Sequence, residues 1–462
     1  MERYTGAEQI ILLFDTYHCE SYYLHESIKR AGYDCLAIVL EENDFLPEGV
    51  ISVYELLSGD WKEEIHGRPR YFNEIEVPNC WSISAGVDEP YGKITYQHEE
   101  KGRIYYTVPK NRYLVKAVDW LDRKGNVCFR DHYDRFGNIC ARTFYGPEGQ
   151  QLGKTWFTAR GREILMENYV TGDLIYNDEA LVKHFRTKLD LFCYCFCRLG
   201  FDQNRIFYNS LDMPFEISAR LGGSRKKNLL FWQQTAEGGI QGNMQKILNG
   251  AAEHTRKVVV QKRAAYGRLA ELGAVNDRLC RLGFIYPFQK ENGHKAEALI
   301  YTDTDWIEHV KELIEAFPQM HFHIAAITVM SDRLKNLGRY PNVSLYPAVK
   351  SPVREELFER CDYYFDINHY AEIISAVDKA FMHNQLIFAF RETLHNQECV
   401  ADMHVYPAAE FERMVSDIRS VIEDSSLMER HLEMQREYAL AESAESYKKT
   451  LEQIIEEESH GL

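Results

Sequence analysis

Amide, aromatic and imidazole side chains recur where short apolar runs of the sequence end. Residues 229–234, 283–286 and 363–370 each read as an apolar strand followed by polar residues. Doubly wound sheets bind ligands at the carboxyl ends of their strands, and these side chain types can hydrogen-bond the backbone and hydroxyl groups of an extended polar ligand. The candidates for substrate binding are Trp232, Gln233, Gln234, Tyr286, Asn368, His369 and Tyr370. The alternative for a histidine such as His369 is a structural hydrogen bond.

Motifs that build several common enzyme sites are missing from the sequence. It contains no GxGxxG after a strand, no GxxxxGK[ST], no GxSxG and no HExxH. Its 11 cysteines include no CxxC, and Cys193, Cys195 and Cys197 alternate in an apolar run as buried thiols do. The sequence therefore predicts no metal site, no disulfide framework and none of the enzyme classes built on those motifs.

Glycines at a period of 12 residues mark the middle of the chain. Gly125, Gly137, Gly149 and Gly161 each lie in a polar turn between stretches of alternating apolar residues. A period of 12 equals one strand and one turn, and glycine adopts the positive φ that a tight hairpin requires. We therefore expect residues 95–176 to form an extended antiparallel β-meander.

This meander differs in charge from the rest of the chain. Residues 101–170 carry 13 Lys and Arg against 7 Asp and Glu, together with 12 aromatic residues, whereas the whole chain has a net charge of −16. Arginines mixed with aromatic residues on a flat sheet predict a surface that binds a partner protein or an anionic membrane. The residues assigned to this surface are Arg130, Arg142, Tyr133 and Tyr145. The alternative is that the aromatic residues only cover one face of the sheet.

Strand and helix signals alternate on both sides of the meander. Residues 10–14 and 35–40 read as strands around a helix at 18–31. Further helices are predicted at 179–199, 305–317, 370–383 and 427–458, and further strands include 205–208, 228–233, 257–260, 283–286, 298–301 and 363–365. Alternation of this kind is typical of parallel sheets covered by helices.

The alternation predicts an α/β, GT-B-like fold of two doubly wound Rossmann-type domains, with the meander inserted into the first. The expected domains are 1–60 with 177–270, the inserted sheet at 61–176, and 271–462 with its terminal acidic helices. The sequence has no apolar run of about 18 residues, and its first residues are charged where a signal peptide would be apolar. We therefore expect a cytoplasmic protein.

Several segments together resemble one family. They are DRKGN at 122–126, YDRFGN at 133–138, FYNSL at 207–211, LLFWQQ at 229–234, DINHY at 366–370 and FAF at 388–390. In this combination the chain resembles, over nearly its whole length, the GtfB family of glycosyltransferase-stabilising proteins, or glycosylation chaperones, of the accessory Sec system of Gram-positive bacteria. No single motif carries the resemblance. It rests on a meander inserted in a GT-B-like fold whose C-terminal domain is degenerate.

The resemblance implies a function. It implies that the chain pairs with a catalytic homologue, GtfA, in a 2:2 heterotetramer that transfers N-acetylglucosamine from UDP-GlcNAc to Ser and Thr of a serine-rich repeat adhesin. By the same resemblance, this chain is the non-catalytic subunit that binds the acceptor and stabilises its partner. It is then expected to need no cofactor of its own and to lie in the cytoplasm, peripherally at the cell membrane.

The residues of the C-terminal domain can be compared with those that a catalytic transferase would need. Retaining GT-B transferases carry two glutamates eight positions apart, and an ungapped match places Ala371 and Lys379 there. Glu372 and Asp378 are next to these two positions in the sequence. An alignment error of one residue could therefore restore one of the two carboxylates, but not both. Two lysines follow the strand at 283–286, where a donor diphosphate would bind, although lysines in such a loop can equally be ordinary solvated residues. The possible vestigial donor site comprises Lys290, Lys295 and Glu372.

The sequence leaves two other functions open. One is an active retaining UDP-sugar glycosyltransferase that uses Glu372 or Asp378 with the two lysines, and retained affinity for a UDP-sugar would favour it. The other is a carbohydrate-binding module built on the meander, which glycan binding by residues 95–176 alone would favour. Nucleic acid is not an expected partner, because a net charge of −16 opposes phosphate binding outside the basic meander.

Overall fold

The structure, a computed structural model, describes residues 9–41, 45–62, 65–86, 89–108, 112–178, 181–221 and 228–456. The chain divides into two compact units. The first comprises residues 1–29, 33–231 and 241–258, and the second comprises 30–32, 232–240 and 259–462. The described strands form three sheets, of seven, ten and six strands.

The seven-stranded sheet has the order β17-β16-β15-β14-β1-β2-β3. Its strands are β1 (Ile10–Phe14), β2 (Cys35–Val39), β3 (Val50–Ser52), β14 (Arg205–Tyr208), β15 (Asn228–Trp232), β16 (Thr255–Val260) and β17 (Leu279–Arg281). The accompanying helices are α1 (Cys19–Arg30), α2 (Val53–Ser58), α3 (Lys188–Leu199), α4 (Met213–Leu221), α5 (Gly242–Leu248) and α6 (Arg263–Glu271). Both β1 and β15 are buried along their whole length, which explains their continuous apolar sequence. The strand order reverses between β1 and β14, as in a Rossmann sheet.

The ten-stranded sheet is the predicted meander. It consists of β4 (Ser82–Ser84), β5 (Gly92–Tyr96), β6 (Glu99–Tyr106), β7 (Val115–Leu121), β8 (Val127–Tyr133), β9 (Ile139–Tyr145), β10 (Gln151–Phe157), β11 (Glu163–Asn168), β12 (Leu174–Asp178) and β13 (Leu181–Phe185), paired antiparallel in chain order. Gly125 and Gly137 have φ of 84° and 87° in two of its turns. Asp122 and Asp134 close those turns by accepting backbone N–H groups two and four residues ahead.

The meander is longer than the sequence predicts. It runs from residue 82 to 185 instead of 95 to 176. The predicted helix at 179–199 is wrong in its first part, because residues 181–185 form β13 and pair with β12. Residues 179 and 180 lie outside the described residues. The helix α3 begins only at Lys188, because the hydroxyl of Thr187 accepts a hydrogen bond from Asp190 N and caps the helix there.

The six-stranded sheet is parallel and has the order β20-β19-β18-β21-β22-β23. Its strands are β18 (Glu297–Thr302), β19 (His321–Ala326), β20 (Val343–Tyr346), β21 (Tyr363–Asp366), β22 (Leu386–Phe390) and β23 (Val405–Tyr406). The helices are α7 (Val310–Ala316), α8 (Asp332–Lys335), α9 (Ser351–Arg360), α10 (Ala376–Met382), α11 (Phe411–Glu423), α12 (Ser425–Tyr438) and α13 (Ala444–Glu456). One hydrophobic core of this unit joins the apolar residues of β18, β19, β21 and β22 to those of α7, α11 and α12.

Several predicted elements of the second unit differ from the structure. Residues 283–286 form no strand but a single bridge between Phe284 and Ala441. The helix predicted at 370–383 begins only at Ala376, because Tyr370, Ile374 and Ser375 have left-handed φ values of 76°, 48° and 51°. The acidic tail is broken into α12 and α13 at Leu440, whose φ is 55°. Residues 457 and 458 of that predicted helix lie outside the described residues.

Candidate functional site

Two exposed aromatic rings lie beyond the carboxyl ends of neighbouring strands in the second unit. Trp306 follows β18 and Tyr370 follows β21. Their ring planes differ by 7° and their centroids are 6.1 Å apart. Trp306 is 56% exposed and Tyr370 is 71% exposed. Aromatic side chains are enriched at binding surfaces, so these two rings form a candidate site that we call the aromatic platform.

A histidine and a buried carboxylate hold the backbone of this platform. Tyr370 has a φ of 76°, which costs a non-glycine residue about 1 kcal/mol or more. His395 Nε2 lies 2.9 Å from the carbonyl oxygen of Tyr370, and His395 Nδ1 lies 2.5 Å from Oδ1 of Asp366. The hydrogen bond to Asp366 raises the pKa of His395, which favours the form in which both ring nitrogens donate. Strain that the surroundings maintain in this way is typical of binding sites.

Asn368 and His369 also belong to the candidate site. His369 Nε2 lies 2.7 Å from Oε2 of Glu308, and the ring of His369 lies edge-on to Trp306 at 5.9 Å. Asn368 is 2% exposed, and its side-chain nitrogen has no hydrogen-bond partner among the described residues. A buried donor without an acceptor costs about 1–3 kcal/mol, so this amide is an unsatisfied group beside the platform.

The structure thus brings three of the seven predicted substrate-binding residues together and adds three others. Trp306 and Glu308 are not among the predicted site residues, because the periodicity of 305–317 predicts a helix there. The helix α7 begins only at Val310, after His309, whose φ is 48°. His395 is missed because nothing local indicates that it faces Asp366.

The other four predicted substrate-binding residues lie elsewhere in the second unit. Trp232 and Gln233 are buried, so their side chains do not form a surface. Gln233 Nε2 donates to Oε1 of Gln261 at 2.8 Å. The hydroxyl of Tyr286 donates to the carbonyl oxygen of Ala439 at 3.2 Å, and Gln234 is exposed. The role of these four in substrate binding stays a prediction.

Two of the three residues of the possible donor site, Lys290 and Glu372, use their side chains in contacts within the unit. Lys290 Nζ donates to the carbonyl oxygen of Cys361 and to Oδ1 of the buried Asp362, both at 2.7 Å. Glu372 accepts the backbone N–H of Val377 in the first turn of α10, and burial raises the pKa of its carboxyl group. Lys295 is exposed, and its backbone N–H also donates to Asp362. Of the two lysines, only Lys295 has an exposed side chain.

Lys379, at one of the two positions of the ungapped match, and Asp378, the second neighbouring carboxylate, also bind other side chains of this unit. Lys379 forms an ion pair with Glu355 at 3.3 Å. Asp378 accepts hydrogen bonds from Asn396 Nδ2 and from the thiol of Cys399. A carboxylate used in this way orders the chain after β22 instead of facing a ligand.

Sequence analysis also misses a polar cluster in the first unit, at the strand reversal between β1 and β14. Asp15 directly follows β1, and burial raises its pKa to about 6, with smaller contributions from the charges of Asp212 and Glu41. A hydrogen bond from Ser210, just after β14, acts in the opposite direction. A carboxyl group with a raised pKa at such a reversal is a candidate binding group. A single aspartate after an apolar run gave no signal in the sequence.

The basic residues of the meander are paired within the sheet. Arg130 binds both carboxylate oxygens of Asp119, and Arg142 binds both of Asp131, with Nε–Oδ1 distances of 2.6 Å in each pair. Tyr133 lies in the core of the sheet, so it cannot belong to the predicted surface without a rearrangement. Tyr145 is half-buried. Binding of a partner or membrane by Arg130, Arg142 and Tyr145 stays a prediction.

Two features are absent from the described part of the chain. None of its helices combines the length and apolar character needed to span a bilayer. No group of three or more His, Cys, Asp or Glu in these ranges is placed to hold a metal ion.

Similarity to known proteins extends over 96% of the chain. Four family models match, described as the GtfB N-terminal domain (residues 11–56), the GtfB middle domain (81–186), the GtfB third domain (188–272) and the GftB/GlyA-F C-terminal domain (298–435). A similar structure, titled a GtfA/B complex bound to UDP and GlcNAc, has a TM-score of 0.84 at 34% identity and covers 96% of this chain and 99% of its own. The pneumococcal O-GlcNAc transferase GtfA is 12% identical with a TM-score of 0.57 over 98% and 99% of the two chains, and it supports the predicted fold alone.

Two curated relatives carry the name UDP-N-acetylglucosamine--peptide N-acetylglucosaminyltransferase stabilizing protein GtfB. The one from Streptococcus parasanguinis is 40% identical over 84% of this chain and 87% of its own length. The one from Streptococcus gordonii is 34% identical over 96% of this chain and 99% of its own length. Identity at this level over nearly complete chains confirms the predicted resemblance and the predicted fold class, and the chain belongs to the GtfB family.

Proposed function

We propose that this chain is the non-catalytic, acceptor-binding and stabilising subunit of a peptide O-GlcNAc transferase complex. Its partner would be a catalytic GtfA homologue, which uses UDP-GlcNAc as the donor. The acceptor would be a serine-rich repeat adhesin that is glycosylated before export by the accessory Sec system. The site of action would be the cytoplasm or the cytoplasmic face of the membrane, and the assembly a 2:2 heterotetramer.

The names of the relatives support the stabilising role. A partner that binds only the folded form of a protein raises the apparent stability of that protein by mass action. The structural match to a GtfA/B complex at 34% identity supports a partner of the GtfA type. No cofactor is expected in this chain, since donor chemistry belongs to the partner.

The observation that carries the non-catalytic assignment is the position of Lys290. A donor site needs cationic side chains that face the ligand and neutralise the diphosphate that leaves. Lys290 instead lies with its Nζ between the carbonyl oxygen of Cys361 and the carboxylate of Asp362, and its side chain is 10% exposed. Moving it to a ligand would leave a buried carboxylate without its charge partner, which is strongly destabilising.

The aromatic platform supports the acceptor-binding role. A serine-rich peptide offers few large side chains, so it must be bound through its backbone, its hydroxyl groups and its aliphatic carbons. Flat exposed rings such as Trp306 and Tyr370 provide apolar contact area without losing much side-chain entropy. His369 beside them provides a hydrogen-bonding ring that Glu308 holds in place.

The first experiment incubates the purified chain with UDP-GlcNAc and a serine-rich peptide, with and without the catalytic partner, and weighs the peptide by mass spectrometry. We expect no sugar addition by this chain alone. We expect the partner to add sugar faster or more extensively when this chain is present. Sugar addition by this chain alone would refute the proposal and favour an active transferase.

The second experiment measures peptide binding by variants of the platform. Trp306→Ala and Tyr370→Ala are each expected to weaken binding of the unmodified peptide roughly tenfold, equivalent to about 1.4 kcal/mol. Tyr22→Ala, which removes another exposed ring, in the first unit, is the matched control and should have no effect. Equal affinities for all three variants and the unchanged chain would refute the role of the platform.

A further inference from the structure

A cavity of about 120 Å³ lies between the inserted sheet and α2 in the first unit. Its aromatic lining comprises Phe45, Tyr54, Tyr133, Phe136, Trp156 and Phe157. Tyr54 and Trp156 stack with 4.7 Å between centroids and 7° between planes. A cavity of about 150 Å³ can hold one benzene molecule. The cavity therefore has room for the end of a side chain or a small organic ion.

The charged groups of the lining are mostly acidic. Glu55, Asp60 and Asp134 contribute three carboxylates, against the single guanidinium of Arg135. Arg135 is already engaged, because its Nη1 donates to the carbonyl oxygen of Leu46 at 2.8 Å. One guanidinium cannot balance three carboxylates, so the described lining carries an excess of negative charge.

The surroundings of these carboxylates compensate for their charge only in part. Burial raises the pKa of Glu55 and the pKa of Asp134. It does so even though Glu55 accepts the backbone N–H of Ser52 and Asp134 accepts two backbone N–H groups in its turn. Burial also lowers the pKa of His132 to about 3, so this imidazole in the lining is neutral at physiological pH. Lys154, which is not among the lining residues, places its Nζ 5.3 Å from the centroid of the Trp156 ring, and the guanidinium of Arg135 lies 4.9 Å from that of Phe136. These two cations leave one of the three carboxylates unbalanced, and they show that the rings of the lining accept cations. A cation would fit this lining better than a neutral molecule or an anion.

Aromatic faces attract cations through their electron-rich rings, and carboxylates attract them directly. We propose that this cavity binds the ammonium or guanidinium group of an organic cation. The group would come either from a free amine or from a lysine or arginine side chain of another protein. The site is separate from the aromatic platform and does not depend on the function proposed above.

The test titrates the full chain with n-butylammonium and with ethylguanidinium at constant ionic strength, and follows binding by calorimetry. The neutral probes n-butanol and ethylurea have similar shapes and serve as controls. We expect saturable binding of a cation and at least tenfold weaker binding of its neutral counterpart. Equal binding of charged and neutral probes, or no saturable binding of either cation, would overturn the proposal.

The peptides acetyl-Gly-Lys-Gly-amide and acetyl-Gly-Arg-Gly-amide distinguish the two sources of the cation. If either displaces the bound probe, the cavity accepts a basic side chain presented by a polypeptide. If neither displaces it while the free cations bind, the cavity accepts a free amine. Both results support the proposed ligand class.

Two variants locate the binding. Glu55→Gln removes one charge, and Ala141→Leu fills part of the cavity without changing charge. Each should weaken binding of the cation at least tenfold, whereas Glu216→Gln, at an exposed carboxylate on α4, should not. If circular dichroism shows that Glu55→Gln does not fold, Asp60→Asn replaces it, because an amide oxygen can still accept the N–H of Ala159. Unchanged affinity in the folded variants would overturn the proposal.

Discussion

Replacing Arg142 by leucine should destabilise the middle of the inserted sheet. The carboxylate of Asp131 is 3% exposed and accepts Arg142 Nε at 2.6 Å, Arg142 Nη2 at 3.1 Å and Trp120 Nε1 at 2.9 Å. Arg142→Leu removes the two charged donors and leaves a buried carboxylate with one neutral donor. Breaking a fully buried pair costs about 3–5 kcal/mol and an exposed one about 0.2–1 kcal/mol. Because Arg142 is 33% exposed, we expect an intermediate loss of about 2 kcal/mol.

Hydrogen exchange measured on peptides from β8 and β9 is the appropriate assay, because a chain of two units need not unfold in one step. A loss of about 2 kcal/mol corresponds to roughly thirtyfold faster exchange of the protected amides. Lys93→Leu is the control in the same sheet, since Lys93 and Glu89 form an ion pair in which both side chains are more than a third exposed. Exchange in Arg142→Leu no faster than in this control would refute the reasoning.

The double variant Asp131→Asn/Arg142→Leu completes the test. The asparagine oxygen can still accept Trp120 Nε1, and no buried charge remains to be balanced, so most of the protection should return.

This variant also tests the predicted partner surface with the sheet intact. If Arg142 binds the catalytic partner, the double variant should bind that partner more weakly despite its recovered stability. Unchanged binding would remove Arg142 from the partner surface.

Two further predictions concern the second unit. Burial lowers the pKa of His404 to about 3, whereas a histidine in the unfolded chain has a pKa of about 6.5. Below that pH the unfolded state therefore binds more protons than the folded state. The free energy of unfolding should fall as the pH drops from about 6.5. Thermal denaturation between pH 7.5 and 5 should show a weaker pH dependence in His404→Gln than in the unchanged chain. An unaltered profile in His404→Gln would contradict this. Gly283→Ala would place a Cβ 1.8 Å from the carbonyl oxygen of Leu440, so it should cost more than about 2 kcal/mol, whereas Gly238→Ala meets nothing within 4 Å. Equal denaturation midpoints for these two variants would show that the backbone at Leu440 moves away readily.

Much of the fold follows from local patterns. The continuous apolar runs of β1 and β15 and the repeated turns at Gly125 and Gly137 identify their elements, because burial and turn conformation both act within a few residues. Element boundaries were less accurate. The starts of α3 and α10 depend on a capping hydroxyl at Thr187 and on the left-handed backbone at Ser375, which the apolar periodicity of the sequence does not show.

The candidate site was predicted only in part. The positions of Asn368, His369 and Tyr370 after a strand were sufficient to select them, because the ends of parallel strands lie at one edge of a sheet. Trp306 and His395 could not be assigned, since their partners are 64 and 29 residues away in the chain and meet them only when β18, β21 and the segment after β22 come together.

The sequence by itself determined the fold class, the repeated hairpins and the family, because these depend on residue order, periodicity and similarity. Only the tertiary structure decided which charged groups are available for binding. The arginines of the meander read as a basic surface, yet Asp119 and Asp131 each lie 11 residues before the arginine that they bind. In the sequence, Lys290 likewise reads as a solvated loop residue or a phosphate ligand, and only the structure places Asp362 beside it. A charge is free or neutralised according to its neighbours in space, and long-range folding determines those neighbours.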